Sequence, residues 1–135
     1  MKRLLSALTI SLTFTACKGV DSDLPEAYRR IEVPAARLRS PAARDRGRSV
    51  FRANCVLCHG VRGDGHGVRA SGFATPPADF TDPYWRRRMT PRHVYFAIRE
   101  GVRGTAMPSW SSLSADETWD LVAYVLSLGP AGKGP

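Results

Sequence analysis

The sequence predicts an all-α domain of three main helices joined by loops, and three observations carry that expectation. Residues 40–54, 90–101 and 114–130 each show helix start or stop signals around apolar residues at helical spacing. No alternating strand pattern flanks the closely spaced cysteines Cys55 and Cys58. The segment from 41 to 129 is also short, and about ninety residues barely build a self-sufficient core.

The first helix opens in "SPAARDRGRSVFRANC", with Ser40 as N-cap and Pro41 in the first helical position. Ala43, Gly47, Val50, Phe51 and Asn54 share one face, and the glycine there permits close approach of a second helix. "TPRHVYFAIREG" gives the middle helix, from the cap Thr90 to the terminating Gly101. The last helix lies in "SADETWDLVAYVLSLGP". Ser114 and Glu117 make a capping box, Asp116 and Glu117 suit the positive helix end, and Gly129-Pro130 stops it. Trp119, Val122, Ala123 and Leu126 form one apolar stripe, while Leu121, Val125 and Leu128 line another. This helix is expected to be buried on more than one side.

Ahead of the domain, Lys2 and Arg3 precede an uncharged, mostly apolar run from Leu4 to Phe14. Residues 1–16 read as an export signal, since the run is far shorter than the roughly twenty residues of a membrane span. "FTAC" resembles the lipobox of bacterial lipoproteins, which implies lipidation of Cys17 and a mature chain beginning there. An ordinary cleaved signal beside an unpaired cysteine is the alternative. Residues 17–40 hold Pro25 and Pro34 and no sustained apolar period, so a flexible tether is expected. Residues 130–135 read as a disordered tail. Three cysteines in an exported chain leave one to explain, and lipid on Cys17 isolates Cys55 and Cys58 as a pair.

Four chemistries use closely spaced cysteines. A disulfide between Cys55 and Cys58 would close a very short loop and add little stability. A thioredoxin-like pair belongs in a strand–helix–strand unit. Zinc needs four ligands, which Cys55, Cys58, His59 and either His66 or His93 would supply at unusual spacings. The fourth chemistry fits "NCVLCHG" best, because C-x-x-C-H in an exported chain is the attachment signal of c-type haem. Two vinyl groups on neighbouring pyrroles must each meet a thiol, and positions i and i+3 of one helical turn put both sulfurs on one side. His59 then falls under the iron as proximal ligand.

The sixth iron position has four candidates: Met107, Met89, His66 and His93. Met107 lies in the loop-like "GVRGTAMPSW", where Pro108 fixes the following backbone. At this point residues 41–129 resemble the small bacterial monohaem cytochromes c, on "CVLCHGVRGDGHG", "PPADFTDPYW" and "GVRGTAMPSW". The resemblance implies the cytochrome c fold wrapped around one covalent haem c, with Met107 as the distal ligand. It further implies that the first and last helices cross near Gly47, Phe51 and Tyr124. Loop "GVRGDGHG" would wrap one haem edge, and the Pro77 carbonyl, in preference to that of Pro76, would accept the other N–H of His59. Phe80 would pack on the haem, and Trp85 or Trp110 would donate to a propionate; plain core packing is the alternative for each aromatic.

Formal net charge is +8, but residues 41–129 hold twelve arginines against eight acidic residues, which propionates would offset further. Nucleic acid is not indicated as a partner. Arg86, Arg87 and Arg88 make the one compact basic run, suited to propionates, an acidic partner or a solvated face. The expected function is therefore that of a lipid-anchored, extracytoplasmic (periplasmic) cytochrome c carrying single electrons. Its donor would be a quinol-linked complex or dehydrogenase, and its acceptor a terminal oxidase or reductase. A fixed haem subunit of a larger respiratory complex is the alternative. A haem enzyme or gas sensor needs an open iron site, which Met107 disfavours.

Overall fold

The computed structural model describes residues 19–129, so the expected export signal over 1–16, Cys17 and the expected tail over 130–135 lie outside the described residues. Seven α-helices follow in order: α1 (Glu26–Arg29), α2 (Ala35–Arg39), α3 (Pro41–Asn54), α4 (Val56–His59), α5 (Pro83–Arg88), α6 (Pro91–Glu100) and α7 (Ala115–Ser127). A single 3-10 turn covers Ala70–Gly72, and no strand occurs among the described residues. The all-α expectation holds.

Local capping explains why the three long helices start where the sequence says. The Ser40 hydroxyl accepts from the Ala43 N–H at 3.3 Å, with Pro41 at the first helical position. Thr90 caps α6 by accepting from the His93 N–H at 3.3 Å, and Gly101 ends that helix. Ser114 and Glu117 close the expected capping box on α7, with backbone-to-side-chain bonds of 2.8 and 3.2 Å. Helix α5 is an addition. Asp82 accepts from the Tyr84 and Trp85 N–H groups and Pro83 follows it, a start signal the sequence contained and the three-helix expectation passed over.

The core is built on the crossing of α3 and α7. Gly47 makes that crossing possible, since a Cβ there would stand 2.0 Å from the Asp120 carbonyl oxygen. Phe51 and Tyr124 meet beside it with ring centroids 5.2 Å apart. Every residue of α7 from Thr118 to Val125 is buried, as two apolar stripes on one helix require. Tyr95 of α6 packs against Trp119 at 4.4 Å, bringing the middle helix onto α7.

A flexible tether is expected over 17–40; the described residues 19–40 form two short helices and touch the domain through scattered anchors. Leu24 is buried, and Tyr28, Ile31, Val33 and Leu38 pack on the core. Asp21 accepts from the Thr90 hydroxyl at 2.6 Å and from Arg92 at 3.0 Å, and His93 Nε2 donates to Asp23 at 2.9 Å. The Ile31 carbonyl takes a further bond from Arg92 Nε at 2.9 Å. Further along, Arg37 and Arg46 close on the buried Asp120 at 3.1 and 2.6 Å. A buried carboxylate left without such partners would be costly to the fold. The segment escaped a periodicity reading because its anchors are single residues without a repeating face.

Asp21 links this strap to pH. The Thr90 hydroxyl first, and Arg92 after it, hold its carboxyl below the usual 3.8. A depressed folded value stabilises the folded form above the unfolded value and is lost as pH falls through the folded one. Acidification below about pH 3.8 should therefore loosen the strap first. The nuclear magnetic resonance signals of Leu24 and Tyr28 are expected to shift in that window, before those of α7. Simultaneous loss of both sets would show that Asp21 holds nothing by itself.

Candidate functional site

The site begins where α3 runs out. Cys55 is the C-cap of α3 and the N-cap of α4, so the chain turns there and makes one more helical turn. Its carbonyl accepts from the Cys58 and His59 N–H groups at 3.2 and 2.9 Å. This turn places Cys55 and Cys58 one above the other with His59 directly after. Both thiols are half-buried and free. Burial, and then the neighbouring Cys58, push the Cys55 thiol up to about 12, so it stands as a neutral thiol.

His59 is buried, and burial lowers its affinity for a proton, with the Ala78 carbonyl acting the other way. The imidazole is therefore neutral near pH 7. Its Nδ1 lies 3.1 Å from the Ala78 carbonyl oxygen, which can only accept. Nδ1 must carry the hydrogen, leaving the lone pair on Nε2. The expected bond exists, but the acceptor is Ala78 and not Pro77. Gly65 brings the two segments together: its φ of 77° is open to glycine, and a Cβ there would stand 2.8 Å from the Pro77 carbonyl oxygen. Its N–H also donates to the His59 carbonyl at 2.9 Å.

Cys55, Cys58 and His59 border a cavity of about 590 Å³. Met107, Pro77 and Trp110 border the same cavity. Its wall is otherwise mostly apolar, with Leu57, Phe73, Pro76, Ala78 and Val102 prominent, and Arg69 as the one basic side chain. A size of several hundred Å³ and an apolar lining suit an organic cofactor.

Two aromatic expectations need correction. Phe80 does not border the cavity; it stacks on the His59 ring at 4.6 Å and 20°, within the core beside Phe51. Trp85 lies against Phe80 at 5.0 Å and is likewise absent from the cavity wall, which leaves Trp110 as the indole at the site. Arg86 is engaged elsewhere. Its guanidinium donates to the Leu126 and Leu128 carbonyls at 3.0 and 3.1 Å, satisfying the C-terminal end of α7.

The other ligand candidates are also placed. His66 is exposed with Nδ1 2.7 Å from the Asp64 carbonyl, and His93 is buried between Thr90 and Asp23. Met89 packs at the core away from this cavity. No group of three or more metal-ligating His, Cys, Asp or Glu side chains converges among the described residues, so the zinc alternative is not assembled. Arg69 and the Ala78 carbonyl were missed by sequence reasoning. Neither carries a spacing signal.

Comparison with known proteins agrees with this geometry. The family model for cytochrome c oxidase, cbb3-type, subunit III matches residues 42–125. A cytochrome bc1 complex cytochrome c subunit of Corynebacterium diphtheriae is 34% identical over 87 residues, 64% of this chain and 28% of that protein. A cbb3-type cytochrome c oxidase subunit CcoP of Azospirillum sp. is 34% identical over 95 residues, 61% of this chain and 29% of that protein. The chain thus spans under a third of the length of these relatives. Among solved structures, a reducing HAO-like protein complex of Kuenenia stuttgartiensis aligns with a TM-score of 0.59 at 34% identity. That alignment covers 67% of this chain and 46% of the other. With more than half its length matched by one family model, the chain belongs to the cbb3-type subunit III family of cytochromes c, electron-transfer proteins whose cofactor is covalent haem c.

Proposed function

We propose that this chain carries single electrons between respiratory redox proteins outside the cytoplasmic membrane. Cys55 and Cys58 would hold the haem through thioethers, and His59 and Met107 would ligate its iron. One observation carries the assignment: these four residues border one apolar cavity, and the Ala78 carbonyl leaves the His59 lone pair on Nε2. Haem bound there supplies a one-electron ferric–ferrous couple, whose potential methionine–histidine ligation raises. Ala78 orients the imidazole, Phe80 fixes its ring plane, and the apolar wall excludes water. Donors of quinol-linked or dehydrogenase type and acceptors of oxidase or reductase type suit that chemistry. Residues 1–16 and Cys17 support export and lipid anchoring, and no helix of the described residues is long and apolar enough to cross a membrane.

Met107→Ala tests the ligand assignment. The potential should fall by on the order of 0.1 V, a fraction of the roughly 0.8 V that axial ligands span. Carbon monoxide should then bind the reduced protein readily. Met89→Ala should do neither. Reversed results would remove Met107 from the site.

A second reading, a fixed subunit of a larger respiratory complex, is favoured by the packed strap. With Asp21 already held by Thr90 and Arg92, little chain remains between Cys17 and the domain to serve as a swinging leash. Two relatives are named as subunits of the bc1 complex and the cbb3-type oxidase. Copurification of stoichiometric partners after mild detergent extraction would select this reading, and a lone domain would select the free carrier.

A further inference from the structure

A second cavity, of about 730 Å³, lies next to the first. Pro25, Tyr28, Met89, Phe96 and Glu100 border it, and Met107 borders both. Val102 and Thr105 are shared as well, so the loop from 102 to 107 is the partition between the two cavities. The strap residues Pro25 and Tyr28 contribute to the wall of the second cavity.

That loop depends on the last turn of α6 for its place. Val102 N–H donates to the Met107 carbonyl at 3.2 Å, and Met107 N–H donates to the Thr105 hydroxyl at 3.1 Å. Beyond Met107, the Ser109 hydroxyl donates to the Arg99 carbonyl at 2.6 Å and the Trp110 N–H to that of Ile98 at 2.9 Å. Met107 therefore moves with residues 98–102. Glu100 sits within this turn and accepts from the Tyr28 hydroxyl. The Tyr28 ring packs edge-on against Phe96 at 4.7 Å, one turn earlier on α6. The strap thus reaches the turn that carries the Met107 loop through the Tyr28–Glu100 hydrogen bond, backed by contacts of the Tyr28 ring with Phe96 and, at 6.4 Å, Tyr95.

We propose that the strap over residues 21–31 braces the Met107 loop, with Tyr28 as its positioning residue, keeping the thioether on the haem side of the partition. This builds on the assignment of Met107 as the distal ligand. Releasing the brace lets Met107 retreat toward the second cavity and opens the sixth iron position to exogenous ligands. With haem bound, this exchange would move no electron: the Met107 sulfur would leave the iron and an added ligand such as cyanide would take its place. Tyr28 touches neither haem nor iron, so its effect must travel through Glu100 and the loop.

The test uses full-length holoprotein and follows cyanide binding to the ferric form, together with the far-red sulfur-to-iron absorption. Tyr28→Phe keeps the ring on Phe96 but removes the hydroxyl. It should accelerate cyanide binding about tenfold, the scale of one hydrogen bond to a charged group, and weaken the far-red absorption. Glu100→Gln, which retains an uncharged acceptor, should fall between Tyr28→Phe and wild type. In a Met107→Ala background, Tyr28→Phe should add nothing. Wild-type cyanide kinetics and absorption in Tyr28→Phe would overturn the brace while leaving Met107 as ligand. Wild-type behaviour of Met107→Ala itself would overturn the ligand assignment, and the brace with it.

Discussion

Replacing Cys55 and Cys58 together with alanine is expected to abolish covalent haem and leave the domain largely unfolded. The cavity these thiols border measures about 590 Å³ and is mostly apolar. Single large-to-small core substitutions leave much smaller holes and still cost about 2–5 kcal/mol. Total stability of a domain is only about 5–15 kcal/mol. A chain this short has little other apolar surface with which to compensate. Each single replacement should retain haem through the remaining thiol, with intermediate stability. Denatured wild type, made in a host with haem-attachment machinery, should keep its colour on a gel, and the double variant should be colourless. Circular dichroism of the double variant should show most helical signal lost. A colourless but fully helical variant would mean that the cavity is tolerated empty, and zinc in purified wild type would remove the haem assignment.

Gly47→Ala should have the largest effect of any substitution remote from the cavity. The added Cβ would meet the Asp120 carbonyl oxygen at 2.0 Å, its carbon at 2.5 Å and Tyr124 Cβ at 2.9 Å. Two of these are backbone atoms of α7, so no side chain can swing aside and the helices must separate. Alanine within a helix gains about 1 kcal/mol over glycine. Overpacking of a dense core costs roughly 1–3 kcal/mol and more where backbone must move. The clash wins, and a net loss of about 2–4 kcal/mol is expected. Denaturant unfolding of the holoprotein measures it. Gly72→Ala is the control, since nothing lies within 4 Å of a Cβ there. Equal stability of the two variants would refute the tight crossing.

Much of this protein was written in short stretches of its chain. C-x-x-C-H announced the turn that pairs Cys55 with Cys58 and sets His59 after them, because a helical turn needs only neighbouring residues. Ser40, Thr90 and Ser114 marked three helix starts for the same reason: a cap bonds to backbone two or three residues away. Gly47 announced a close helix crossing, and the two stripes of α7 announced burial on several sides. Tertiary structure alone decided the rest. Whether Pro77 or Ala78 accepts from His59 depends on a shift of one residue in a loop, set by contacts with Gly65. Phe80 and Trp85 carry the same apolar signal whether they face haem or core; in the structure Phe80 lies against the His59 and Phe51 rings, and Trp85 against Phe80. The strap is the clearest case. Asp21, Tyr28 and Arg37 are scattered single anchors whose partners lie about seventy to eighty residues away, at Thr90, Glu100 and Asp120. Local sequence encodes turns and caps through bonds to near neighbours, whereas such pairings exist only once distant helices have been brought together.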